Sequence, residues 1–127
     1  LLAQNPTVGE MKTFYTQIKN NLVRMAEKMP ADQYDFKPVP EIRTFGALMG
    51  HIADSQLRTC SFINSGTPKQ PTAGQMTKKD DLVAALKESF AECDKAFDGL
   101  TDANASQMMP MMSVKRSRDS GHVDPNQ

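Results

Sequence analysis

The amino-acid sequence predicts an all-α protein, an up-down helical bundle, and three observations carry that expectation. Apolar residues recur at alternating steps of three and four in three separate stretches. Each stretch is bounded by helix-starting or helix-stopping residues. The composition is rich in Met (9) and poor in aromatics (6%), with no Trp, whereas strand-rich domains lean on Val, Ile, Thr and aromatic side chains.

A chain of 127 residues supplies one domain and one hydrophobic core. Fifteen basic residues balance fifteen acidic ones, so no net field draws the protein to nucleic acid or anionic lipid. No apolar run approaches the roughly 20 residues of a membrane span. The expectation is a water-soluble protein with no nucleic-acid or membrane partner.

The first helix is expected over about residues 8–29. Thr7 and Glu10 have the spacing of a capping box, in which each side chain satisfies an orphan backbone N–H of the first turn. Val8, Met11, Tyr15, Ile18, Leu22, Met25 and Met29 then form one apolar stripe, with Lys12, Lys19, Asn20, Arg24 and Lys28 largely off it. Pro30 stops the helix by removing a donor and restricting the preceding residue.

Asp32 to Glu41 is a connector held extended by Pro38 and Pro40, with Tyr34 and Phe36 as plugs for the end of the bundle. Two prolines in three residues argue against a strand. The second helix, about 45–64, takes Thr44 as N-cap and buries Phe45, Leu48, Met49, Ile52, Cys60 and Ile63. Gly46 and Gly50 lower its propensity by roughly 1 kcal/mol each, which fits either close packing or space beside a ligand. Ser65-Gly66-Thr67-Pro68 ends it, and a polar surface link runs to Gln75.

The third helix, about 78–99, opens with Thr77-Lys78-Lys79-Asp80 as a capping signal. It buries Val83, Leu86, Phe90, Cys93, Phe97 and Leu100, and Gly99 stands at a left-handed C-cap. Three such helices with short connections specify a bundle. Cys60 and Cys93 form no CxxC or zinc-ribbon pattern. They are expected as buried thiols of the core, with a disulfide or a reactive thiol as the alternatives.

Residues 1–112 thus form the domain, and 113–127 a polar tail, disordered or atypical. Met108, Met109, Met111 and Met112 make an apolar patch broken by Pro110, and no convincing fourth helix follows. The opening Leu1-Leu2-Ala3-Gln4 fits the stub of a secretory leader cleaved near Ala3. A cytoplasmic protein is the expectation and export the alternative.

The segment MPADQYDFKPVPEIRTFGALMGHIADSQ resembles the DinB-like superfamily, whose members carry a Pro- and aromatic-rich stretch running into a helix with a histidine. Pro30, Tyr34, Phe36, Pro38, Arg43, Thr44, Phe45, Leu48 and His51 fill those places, and Asp81 to Ala103 looks like the family's third helix and following turn. The resemblance covers roughly residues 7–112. It implies a four-helix bundle, often dimeric, with the fourth helix missing or atypical in this chain.

The resemblance also implies a metal site. Family members that bind zinc or nickel use one histidine of the second helix and an H-x-x-x-H pair on the fourth, leaving a position open to water or substrate. His51 matches the first ligand. The other two are lacking, since the remaining histidine, His122, has no partner four residues away and precedes Pro125. The expectation is therefore an incomplete site for a divalent metal. Asp54 and Arg58 follow on the same helix, either as hydrogen-bond partners of a metal ligand or, more plainly, as solvated charges. Asp124 beside His122 could at most help hold a stray cation.

Three explanations fit the missing element: a C-terminal helix lost or replaced, a stretch lacking within the tail, or a chain that covers its open face by dimerising. A homodimer is the expected assembly. Two functions follow from the resemblance. One is a degenerate metal-dependent hydrolase or thiol transferase of unknown small-molecule substrate. The other is a non-catalytic helical dimerisation module. Lys115, Arg116 and Arg118 in the tail give nucleic-acid binding little support.

Overall fold

Residues 7–105 are described in the computed structural model. They carry three helices, α1 (Thr7–Lys28), α2 (Phe45–Ser65) and α3 (Lys79–Asp98), with short 3-10 turns at Ala31–Gln33 and Ala73–Gln75. No strand occurs among the described residues. They fall into two units, Lys12–Gly99 and a smaller one that holds residues 7–11 and 100–105.

In the larger unit α1 ends where Pro30 takes φ −58 and ψ 145, an extended geometry no helix continues. Its last turn carries Lys28, a cation suited to the partial negative charge there. The expected stripe proves to be two. Tyr15, Leu22 and Met29 lie on the packed side with Ala26, whereas Ile18 and Met25 are exposed, as is Met11 of the smaller unit, and Phe14 is 68% exposed. A three–four pattern marks a broad apolar face, and only half of that face meets the rest of this unit.

The connector does one of its two expected plugging tasks. Tyr34 is buried, stands edge-on to Phe45, and donates its hydroxyl to the Ala26 carbonyl. Phe36 is 52% exposed, so the second aromatic plug does not form. The connector also completes the start of α2. The amides of Phe45 and Gly46 donate to the carbonyls of Phe36 (2.8 Å) and Tyr34 (2.7 Å). The Ala47 amide donates to Thr44 Oγ1 at 3.0 Å, which makes Thr44 the N-cap its position predicts. At the far end Gly66 adopts φ 78, the left-handed cap that favours glycine.

α3 lacks the local devices expected of it. Its N-cap position is Lys78, which makes no side-chain cap hydrogen bond, and Gly99 has φ −79 rather than a left-handed conformation. Asp80 and Asp81 in the first turn suit the helix's positive end instead. The helix is held by packing: Leu82, Leu86 and Phe90 are among the most buried side chains. Leu82, adjacent to the predicted stripe, thus belongs to the core, while Val83 is only partly buried.

The order of directions also differs from an up-down bundle. Gly46 lies against Leu82, Gln56 Oε1 accepts from Ser89 Oγ, and Cys60 is bonded to Cys93. Both helices advance together, so α2 and α3 are parallel. α1 opposes them, with Tyr15 and Lys19 beside Asp94 and Glu27 beside Lys87. Parallel neighbours need a return path as long as a helix. Twenty helical residues rise about 30 Å, a span the segment 66–78 covers when extended at roughly 3.3 Å per residue. That segment crosses α2 closely: a Cβ on Gly50 would meet the Ala73 carbonyl oxygen at 2.6 Å. Glycine here serves close packing, as at Gly46, whose Cβ would stand 3.0 Å from the Tyr34 oxygen.

In the smaller unit the Val8 amide donates to Asp102 Oδ1 at 3.3 Å. Thr7 itself lies inside α1 and not before it as the predicted cap; an acid from residue 102 serves one of the first-turn donors. Thr101 and Asn104 close a turn on each other, N–H to side-chain oxygen in both directions (2.8 and 3.2 Å).

Candidate functional site

α2 carries the residues singled out for chemistry. Its buried side holds Gly46, Met49, Gly50, Ala53 and Cys60, and its opposite side holds His51, which is exposed. Leu48, one turn before His51, is exposed as well, although its place in the apolar stripe predicted burial. Ser55 and Arg58 continue the same open face.

Asp54, one turn beyond His51, is not the free solvated charge expected of it. Its two carboxylate oxygens accept the backbone amides of Ala73 and Gly74, each at 2.8 Å. The carboxylate thereby fastens the crossover to α2, with charge-assisted bonds to two amides of the 3-10 turn. Nothing local signals this, because the partners lie 19 and 20 residues away.

The cysteines depart from the expected pair of thiols. Cys60 and Cys93 form a disulfide with a Cα–Cα distance of 5.0 Å, and both residues are buried. Around it lies a polar cluster that periodicity did not reveal. Glu92, buried next to Cys93, receives Lys69 Nζ and, at 2.8 Å, Asn64 Nδ2. Ser61, buried next to Cys60, accepts the Lys69 amide at 2.8 Å. The Lys69 ammonium, then Asn64, holds the Glu92 carboxyl below the usual carboxylate range despite its burial. The available signal was the Ser89–Glu92–Cys93 spacing, which puts two polar residues on a face shared with Cys93.

On the α1–α3 side the Tyr15 hydroxyl donates to Asp94 Oδ1 (2.7 Å), and Lys19 Nζ pairs with Asp94 Oδ2 (2.7 Å). Burial, followed by the Asp94 hydrogen bond, pushes the Tyr15 hydroxyl well above the ordinary phenol range. A cleft of about 470 Å³ lies there over Val23, Phe90 and Ala91, rimmed by Lys19, Arg24 and Lys87. A second, of about 190 Å³, lies between α2, the crossover and α3 beside Asp54, Asp81 and Glu88. His51 lines neither.

Among the described residues no group of three or more His, Cys, Asp or Glu side chains could hold a metal ion. A zinc or nickel centre built on His51 therefore does not fit the described residues alone. His122, Asp124 and the tail cations Lys115, Arg116 and Arg118 lie outside the described residues. No described helix is long and apolar enough to cross a membrane.

An all-helical chain with an aromatic connector leading into a histidine-bearing second helix defines the class. The family comparison makes it specific: the profile of the DinB superfamily matches residues 15–118, and the chain belongs to that superfamily. No curated protein and no solved structure matches it.

Proposed function

We propose that this DinB-superfamily chain acts as a non-catalytic helical module that associates with a second copy of itself. The observation that carries this reading is the commitment of the ligand-type side chains of α2 and α3 to the fold. Asp54 holds two backbone amides, Cys60 and Cys93 hold each other, and Glu92 holds Lys69 and Asn64. Each serves the fold, and releasing any of them to a metal would cost structure. The exposed apolar side chains Phe14, Ile18 and Met25 support a homodimer as the assembly.

The exposure of His51 favours a second reading. An open imidazole on α2 could supply one nitrogen to zinc or nickel if residues beyond 7–105 supplied the others. A metal so held would lower the pKa of a bound thiol or water, the chemistry of a degenerate metal-dependent hydrolase or thiol transferase acting on a small molecule. For the compartment, the buried disulfide supports export over residence in a reducing cytoplasm.

Metal analysis of the purified full chain beside its His51→Ala variant separates the readings. The proposal expects both proteins free of stoichiometric zinc and nickel, with unfolding midpoints that agree, because His51 is exposed. One equivalent of metal, lost in the variant, would overturn it in favour of the metal-dependent reading.

A further inference from the structure

The Cys60–Cys93 bond stands at a place where polar contacts, rather than a broad apolar core, are the other means of cohesion. Near the start of α2 the seam with α3 is closed by contact, with Gly46 and Gly50 letting Leu82 and the crossover approach. Towards the end of α2 the buried residues are Cys60 and Ser61, and across from them α3 buries Glu92 and Cys93, with Ser89 and the core residue Phe90 about one turn earlier. Hydrophobic burial, the usual source of stability in a small domain, is thin there. A bond closing a separation of 33 residues that includes the whole crossover removes much of the freedom of the unfolded chain.

We propose that this fold is conditional on oxidation: the chain reaches its stable form only where Cys60 and Cys93 are joined, and the reduced chain loses the α2–α3 clasp. In the joining reaction the two thiols give up two protons and two electrons to a disulfide donor such as oxidised glutathione. The donor leaves as two thiols by way of a mixed disulfide with one cysteine. At 7% and 4% exposure, the bonded cysteines are sheltered from small reductants once the fold has closed. The bond is therefore set at maturation and is no rapid switch. Glu92 and Ser61, each adjacent to a bonded cysteine, gather Lys69 and Asn64 around it, so opening the clasp also unsettles the first residues of the crossover. This inference is independent of whether His51 binds metal.

The test uses the full chain produced in an oxidising compartment. Unreduced, it should be two mass units lighter than the dithiol, and a maleimide should label neither cysteine under native conditions. After reduction in denaturant and return to native buffer with the reductant kept, the unfolding equilibrium constant should rise on the order of several hundred-fold. Cys60→Ala/Cys93→Ala should match the reduced wild type, and failure of this variant to fold is the same result carried further. Native labelling of both cysteines would overturn the proposal. So would a reduced chain, or a double variant, whose denaturant midpoint equals that of the oxidised protein.

Discussion

The α2–α3 seam and the outer flank of α1 use their residues in opposite ways. The seam buries small and polar groups, including Ala53, Ser61, Ser89, Glu92 and the cysteine pair, and secures them by bonds, ion pairing and close backbone approach. The flank leaves large apolar groups, Phe14, Ile18 and Met25, in solvent. Side-chain size therefore does not rank residues by their importance to this fold. A glycine whose missing Cβ admits a carbonyl contributes more than a phenylalanine that touches little.

That contrast can be broken by mutation. Phe90→Ala, at a side chain 2% exposed in the common core of α1, α2 and α3, should cost the most, about 3–5 kcal/mol in denaturant unfolding. Gly50→Ala comes next. Helix propensity favours alanine by roughly 1 kcal/mol, but the 2.6 Å approach to the Ala73 carbonyl outweighs it, for a net loss of about 1–3 kcal/mol. If Gly50→Ala stabilises the protein, the seam is not closed as described. Asp54→Ala should follow at about 1–2 kcal/mol, since it strips acceptors from two amides, and amide exchange at Ala73 and Gly74 should quicken. Phe14→Ser should change monomer stability by less than about 0.5 kcal/mol while weakening self-association in sedimentation. A cost like that of Phe90→Ala would erase the distinction between the two regions.

Acid sharpens the same contrast by a smaller effect. Glu92 has its carboxyl lowered by Lys69 and Asn64, so its contribution is complete above the unfolded carboxyl pKa of about 4.3. It is lost as pH falls through the lower folded value. The unfolding midpoint should decline below about pH 4, and Lys69→Met should reduce that decline. An identical acid profile in the variant would remove Glu92 from the account of the seam.

What was legible in the sequence was local. Thr44 and Gly66 act within one turn of themselves, and Pro30 stops α1 by its own ring, so the bounds of α2 and the end of α1 could be read directly. The disulfide, the Asp54 bonds and the Lys69–Glu92 pair depend on which helix lies beside which, and in what direction. Three–four spacing carries no such information. It also cannot say which half of a broad apolar face is covered, which is why Met11, Ile18 and Met25 were expected inside. Thr77 and Gly99 had the right types, yet Lys78 takes the N-cap position, and Gly99 caps the end of α3 through its amide to the Lys95 carbonyl without the left-handed conformation. For the candidate site, His51 could be named from its motif and placed on α2. Its ligand partners could not: Asp54, one turn away, is held by the amides of Ala73 and Gly74, and the described residues bring no other ligand set together around His51.

The parallel alignment of α2 and α3 bears on how quickly the chain finds its fold. Helical bundles made of hairpins fold fast because neighbours in space are neighbours in sequence. Here Ser89 seeks Gln56 across 33 residues and Tyr15 seeks Asp94 across 79. Loops of that length must close before their contacts repay the lost entropy. This all-helical protein should therefore fold at the pace of a mixed α/β domain, with α2 and α3 formed as helices well before they meet.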